Sequence, residues 1–227
     1  MPKPKKMNRR AVLQAGFGAG AALVGGGLIV ASSDGSECAT PQQTEGPFYP
    51  KQNQLDKDID LTIIEGRGER ADGDVIQVGG QVLDQDLKPV AGALVEIWQA
   101  NKHGRYHHED DSNPAPRDPN FQGWGQVKTD DDGRYGFRTI IPGAYPASGE
   151  WLRPPHIHFK VAKRGYHELI TQMYFAGHEL NAKDFILQEL SEDEQARVVV
   201  SLAEPSENDP DARLARFNIM LRRVSTG

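Results

Sequence analysis

The chain has 227 residues, with 37% hydrophobic and 26% charged residues and a formal net charge of -6. That is enough for one substantial domain with its own core, in the composition range of soluble globular proteins. The acidic balance argues against a nucleic-acid partner, which a basic face would attract, and no Lys/Arg cluster interleaved with aromatics follows the N-terminal segment. In chain order, MPKPKKMNRR is basic and AVLQAGFGAGAALVGGGLIVASS is apolar, small and uncharged. A basic region, an apolar region and small residues before a polar stretch make an export signal. Arg9-Arg10 resembles the twin-arginine type, although Val12 stands where that pattern often has Phe. Residues 1–33 are therefore predicted to be a twin-arginine-type signal, cut after Ala31 to Ser33, with a periplasmic or extracellular destination. The alternative is a membrane anchor, because the apolar run approaches spanning length; its glycines weaken that reading. No lipidation motif precedes Cys38. It is the only cysteine, so no intrachain disulfide can form.

Residues 34–74 begin DGSECATPQQTEGPFYPKQ and are rich in Pro, Gly and polar residues, which predicts an extended arm. From residue 75 the hydrophobic period becomes two. VIQVGGQVLD, ALVEIWQA, YGFRTII, HIHFKVA, LITQMYF and RVVVSLA are short β-branched or aromatic runs between Gly-, Pro-, Asp- and Asn-containing loops. This predicts an all-β domain over 75–227, a two-sheet β-sandwich with long loops and short helices. The helical suggestions are NAKDFIL and SEDEQARV, and FNIMLRRV reads as a closing strand. DDDG at 130–133 lacks the spacing and the distal Glu of a calcium loop, so a hairpin turn is expected there.

RPPHIHFKV carries the chemistry. Side chains alternate on a strand, so His156, His158 and Lys160 share one face while Ile157, Phe159 and Val161 share the other. The two imidazoles are spaced for a shared metal; the alternative is a solvated strand face. Arg153-Pro154-Pro155 is a rigid lead-in that holds an arginine close by. Arginine beside such a site pairs with an anion or with developing negative charge. Further ligands could be carboxylates, His103, His107, His108, Tyr106 or Tyr145. The residues alone do not choose among them. Cys38, isolated in the arm, does not support a thiolate site.

The ordered set WQANKHGRY, TDDDGRYGFRTIIPGAYP and RPPHIHFKV resembles the intradiol ring-cleavage dioxygenases, nearest the protocatechuate 3,4-dioxygenase type. The resemblance runs from TEGPFYP at residue 44 to the end. It implies a mononuclear non-haem iron(III) held by Tyr106, Tyr145, His156 and His158, with Tyr145 and His158 axial and Tyr106, His156 and a hydroxide equatorial. Such a set is coherent: iron(III) is hard and favours anionic oxygen, and a bound cation deprotonates a tyrosine whose ordinary pKa is about 10. The resemblance further implies an aromatic ortho-diol substrate and O2. The ring would open between the two oxygen-bearing carbons to a cis,cis-muconate-type diacid, with Tyr145 taking one substrate proton. Arg153 matches an arginine that stabilises substrate carbanion character, the alternative being a structural ion pair. Gln172 matches a glutamine near the bound oxygens and Trp98 a tryptophan beside the substrate, the alternative being a core aromatic. Gly46 and Pro47 match residues that bring the arm over the pocket. Ala147 departs from the pattern, which has a second tryptophan there. One chain type is compatible with a homo-oligomer, and no membrane partner is expected after signal removal. Two other classes remain in view. One is a non-catalytic prealbumin-like binding module, which has no reason to gather these four side chains. The other is a zinc hydrolase using the His pair with a third His or a carboxylate.

Overall fold

The period of two becomes twelve strands among the residues that this computed structural model describes, 39–51, 56–207 and 209–225. The segment 1–33, read from the sequence as an export signal, lies outside the described residues, as do Cys38 and the first residues of the arm. β1 (Val75–Asp84), with Val75, Ile76, Val78 and Val82 buried, is the longest strand and the centre of one sheet. Along one edge it pairs antiparallel with β4 (Arg134–Ile140), from Val75↔Ile140 to Gln81↔Arg134. Its first half also pairs in parallel with β11 (Arg213–Arg216) and its second half with β12 (Ile219–Leu221); β10 (Leu202–Ala203) extends β11. The second sheet has the order β3 (Trp124–Lys128), β2 (Leu94–Trp98), β7 (His156–Ala162), β8 (Leu169–Phe175) and β9 (Val199–Val200). A separate ribbon pairs β5 (Tyr145–Ser148) with β6 (Trp151–Arg153).

The alternating residues of the two sheets meet in one core. Ile76, Val78 and Val82 of β1 and Phe137 of β4 face Val95 and Ile97 of β2, Ile157, Phe159 and Val161 of β7 and Met173 of β8, all of them fully buried. Each such side chain contributes about 1.5–3 kcal/mol through burial. This is the all-β, two-sheet architecture expected from the period, here with mixed parallel and antiparallel pairing.

The residues before β1 are part of this packing. Ile59, Leu61 and Ala71 belong to the core cluster, and the backbone at Ile59 and Leu61 exchanges hydrogen bonds with Arg138 of β4. Residues 39–43 run along β12 and β8, through Thr40 N–H to the Met220 carbonyl and Gln43 N–H to the Ile170 carbonyl. NAKDFIL holds a 3₁₀ turn, Glu179–Lys183, and a short helix, Phe185–Gln188.

Two expectations are corrected. RVVVSLA was expected as one strand, but the helix Glu192–Val198 extends into it. Ser191 and Glu194 form a reciprocal capping box and three acids fill its first turn, which drives the helix through Val198. What remains divides at Ser201: β9 joins one sheet and β10 the other. DDDG does turn, with Asp130 Oδ1 accepting from the Asp132 and Arg134 amides. It links β3 and β4, which lie in different sheets, and so is not a hairpin turn. Among the described residues no helix is long and apolar enough to cross a membrane.

Candidate metal centre

Alternation on β7 puts Ile157 and Phe159 in the core and turns His156 and His158 to the opposite face. There each is only 2% exposed. Across the sheet His158 is flanked by Trp98 and Gln172, and His156 is opposite Tyr174. His156 Nδ1 donates to the Pro154 carbonyl at 2.7 Å, so Nε2 presents a lone pair. Burial, followed by the nearby Arg153 charge, holds both imidazoles well below their ordinary pKa, hence neutral. Their Nε2 atoms face each other at 3.2 Å. Two metal–imidazole bonds of about 2.0–2.1 Å could span this separation.

The tyrosines arrive on two loops that touch backbone to backbone. Asn101 organises the first: its Oδ1 accepts from the amides of His103 and Arg105, and its carbonyl accepts from Gly104 and from Gly143 of the second loop. A Cβ at Gly104 would collide with the Ala144 carbonyl, and one at Gly143 with the Lys102 carbonyl. Glycine at both positions is what lets HGRY lie against PGAY. The Tyr106 amide donates to Asp111 Oδ2 at 2.6 Å. The Tyr106 hydroxyl then lies 3.4 Å from His156 Nε2, and the Tyr106 and Tyr145 rings meet edge to face at 5.4 Å. The Tyr145 ring is 5.6 Å from that of His156. Burial raises both phenol pKa values; for Tyr145 the Arg153 charge opposes the rise. With no cation both are neutral phenols, and a cation would reverse that.

These four side chains therefore converge, as the resemblance requires and as a simple binding module does not. Two imidazole nitrogens and two phenol oxygens in a desolvated site fit a hard cation that accepts both nitrogen and oxygen. Among the described residues no three His, Cys, Asp or Glu side chains gather to hold a metal. The third His or carboxylate of a zinc site is thus not supplied there. His103 and His107 are exposed, and His108 is buried against Phe48.

The remaining residues of interest surround this group. Trp98 stacks on His158 at 4.7 Å, and its indole N–H has no protein partner. Arg153 is 3% exposed and lies across the β5–β6 ribbon from Tyr145. Its Nη1 is 3.2 Å from His156 Nε2, and its other nitrogens engage Asp184 at 2.9 and 3.0 Å. It is thus in an ion pair and also faces the imidazoles. Gln172 is one step back: Oε1 accepts from Arg153 at 2.8 Å and Nε2 donates to the Thr44 carbonyl at 3.0 Å. The backbone at Gly46 lies against His158. Ala147 is exposed on β5. Sequence reasoning missed Asp184, Tyr174 and the arm aromatics Phe48 and Tyr49. Phe48 covers Tyr106 at 4.7 Å, Tyr49 meets Trp98 edge-on at 5.0 Å, and Tyr174 takes a bond from Arg153. The adjacent aromatics of TEGPFYP were the one available signal.

The family described as Dioxygenase matches residues 44–223. The protocatechuate 3,4-dioxygenase beta chain of Burkholderia cepacia is 42% identical over 180 residues, covering 78% of this chain and 76% of that one. The catechol 1,2-dioxygenase 2 of Acinetobacter lwoffii is 33% identical, covering 66% of this chain but 56% of that one. The chain thus spans little more than half of such catechol-type relatives. Among solved structures, the dioxygenase domain of a dioxygenase carbohydrate-binding protein fusion from Streptomyces sp. SirexAA-E has a TM-score of 0.60 at 26% identity, covering 82% of this chain and 99% of that one. The 3-chlorocatechol 1,2-dioxygenase of Rhodococcus opacus 1CP has a TM-score of 0.66 at 24% identity, covering 83% and 75%, a likeness of fold. With the match running unbroken from the arm through both tyrosine loops and RPPHIHF, the chain belongs to the intradiol ring-cleavage dioxygenase family.

Proposed function

We propose that this protein cleaves the ring of a catechol-type ortho-diol with O2 at a mononuclear ferric centre, giving a cis,cis-muconate-type diacid. The observation that carries the reading is the convergence of Tyr106, Tyr145, His156 and His158, all of them buried. The His pair is 3.2 Å apart, with Tyr106 at 3.4 Å. These four would hold the metal. Ferric iron, when bound there, would act as a Lewis acid toward both diol oxygens.

The protein's own groups supply the rest. The Pro154 carbonyl fixes the His156 tautomer and keeps Nε2 free to ligate. Tyr145 Oη, deprotonated once a cation is bound, would accept a proton from one diol hydroxyl. Arg153 Nη1 faces the imidazole edge and meets negative charge that develops on the ring. Trp98, stacked on His158, fixes that ring plane, and its free indole N–H adds a donor beside the substrate. Phe48 and Tyr49 exclude water from the mouth.

The test is iron analysis with a visible spectrum, before and after anaerobic catechol. A red-brown phenolate charge-transfer band that catechol shifts and air restores, with muconate formed, is expected. A protein that stays colourless after iron(III) loading would sink the reading. We also propose export through residues 1–33, on the strength of Arg9-Arg10 and the apolar run after them; N-terminal sequencing of the mature protein checks it. Assembly as a homo-oligomer, read from one chain type, is checked by sedimentation.

A further inference from the structure

We propose that Asp184 is a positioning residue: it clamps the Arg153 guanidinium so that Nη1 is the edge presented to the substrate side of His156. This rests on the function proposed above. Arginine is a planar fork, so fixing one edge fixes the other. Asp184 Oδ1 accepts from Nε at 3.0 Å and Oδ2 from Nη2 at 2.9 Å, a two-point clamp. Nη2 also donates to Gln172 Oε1 at 2.8 Å and the Tyr174 hydroxyl at 3.2 Å. Nη1 is left toward the imidazoles, 3.2 Å from His156 Nε2.

Two observations separate this role from a merely local one. Asp184 is the N-cap residue of the helix Phe185–Gln188, where an aspartate ordinarily accepts from the first-turn amides. Its side chain makes no such bond, and its carboxylate is committed to Arg153. It is also 0% exposed, and the Trp151 ring lies 5.6 Å from the Arg153 guanidinium carbon and meets the Phe185 ring at a tilt, 5.1 Å away. With both side chains cut off from water, each charge would be stranded without the other.

The experiment compares iron-loaded wild type, Asp184→Asn, Arg153→Gln and the double variant. The readouts are iron content, resting and anaerobic-catechol spectra, thermal unfolding, and kcat separately from KM. Asp184→Asn is expected to keep full iron and the resting band. Its kcat should fall roughly 10- to 100-fold with KM nearly unchanged, as for other outer-shell partners. Its catechol-complex band should move to that of Arg153→Gln. In the Arg153→Gln background the second change should cost less than about 2-fold, because it acts through a group already gone. A kcat within about 2-fold of wild type, or an equal loss in both backgrounds, would overturn the proposal. If Asp184→Asn alone fails to fold, a folded double variant supports the pairing and an unfolded one overturns it. A wild type with iron but no turnover would remove the proposed function and this inference together, whereas an active wild type with additive losses removes the inference alone.

Discussion

Around the histidine pair, the two faces of β2, β7 and β8 are both dry and chemically opposite. One carries Val95, Ile97, Ile157, Phe159, Val161 and Met173; the other carries Trp98, His156, His158, Gln172 and Tyr174, all at most 2% exposed. On the first face burial alone is the stabilising force, and any well-shaped apolar side chain satisfies it. On the second, burial is a cost that each polar group must offset with a partner. Pro154 serves His156, Asp184 serves Arg153, and Thr44 serves Gln172. His158 Nδ1 and the Trp98 indole have none in the protein. The same strand thus divides its residues between holding the fold and doing chemistry.

Substitutions on the two faces should therefore fail differently. The largest loss is expected for His158→Ala. It removes a donor outright, so it should exceed the roughly 10- to 100-fold typical of outer-shell changes. Iron content and the visible band should go while the unfolding midpoint holds; retained colour would break the comparison. Phe159→Ala, next on the same strand, should do the reverse. It should cost about 3–5 kcal/mol by denaturant unfolding, with the spectrum of the folded fraction unchanged. Glu96→Ala probes the seam between the faces. Glu96 accepts from the Tyr49 hydroxyl and the Trp124 indole, both at 3.2 Å, and so ties the arm to β2. Leaving these donors unpaired should cost about 1–3 kcal/mol and speed proteolysis of the arm.

Asp209→Asn, on β1's side of the molecule, should be the mildest, at about 1 kcal/mol near neutral pH. Burial pushes the Asp209 carboxyl up, but hydrogen bonds from Arg138 and Gln77 outweigh it and leave the pKa below its ordinary value. The folded chain then binds that proton less readily than the unfolded one. The stabilisation is complete above the unfolded pKa of about 3.9 and fades as pH falls through the folded value. Urea titrations at pH 7 and pH 3 should show the gap between wild type and variant closing in acid; a constant gap would assign it to packing.

Much of this was legible locally. The period of two gives β1, β2, β4, β7 and β8, and alternation on HIHFKV separates the histidine face from the core face before any contact is known. The strands β3, β5, β6 and β11 were not legible. β3, WGQVK, does not alternate, and the other three have three or four residues, too few to show a period. RVVVSLA misleads for a related reason, since β propensity is weaker than a well-capped helix running into it.

By itself the sequence determined the residue types and their spacing: two imidazoles on one strand face, an arginine on a rigid lead-in, and glycines where two loops must touch. It also determined which resemblance those motifs carry. Only the tertiary structure decided that Tyr106 comes within 3.4 Å of His156, that Asp184, 31 residues from Arg153, clamps it, and that Phe48 lies over Tyr106 and Tyr49 over Trp98. The physical reason is that alternation and turn chemistry act between neighbours in the chain. A buried ion pair or a metal-sized gap between side chains exists only after the sheets have packed.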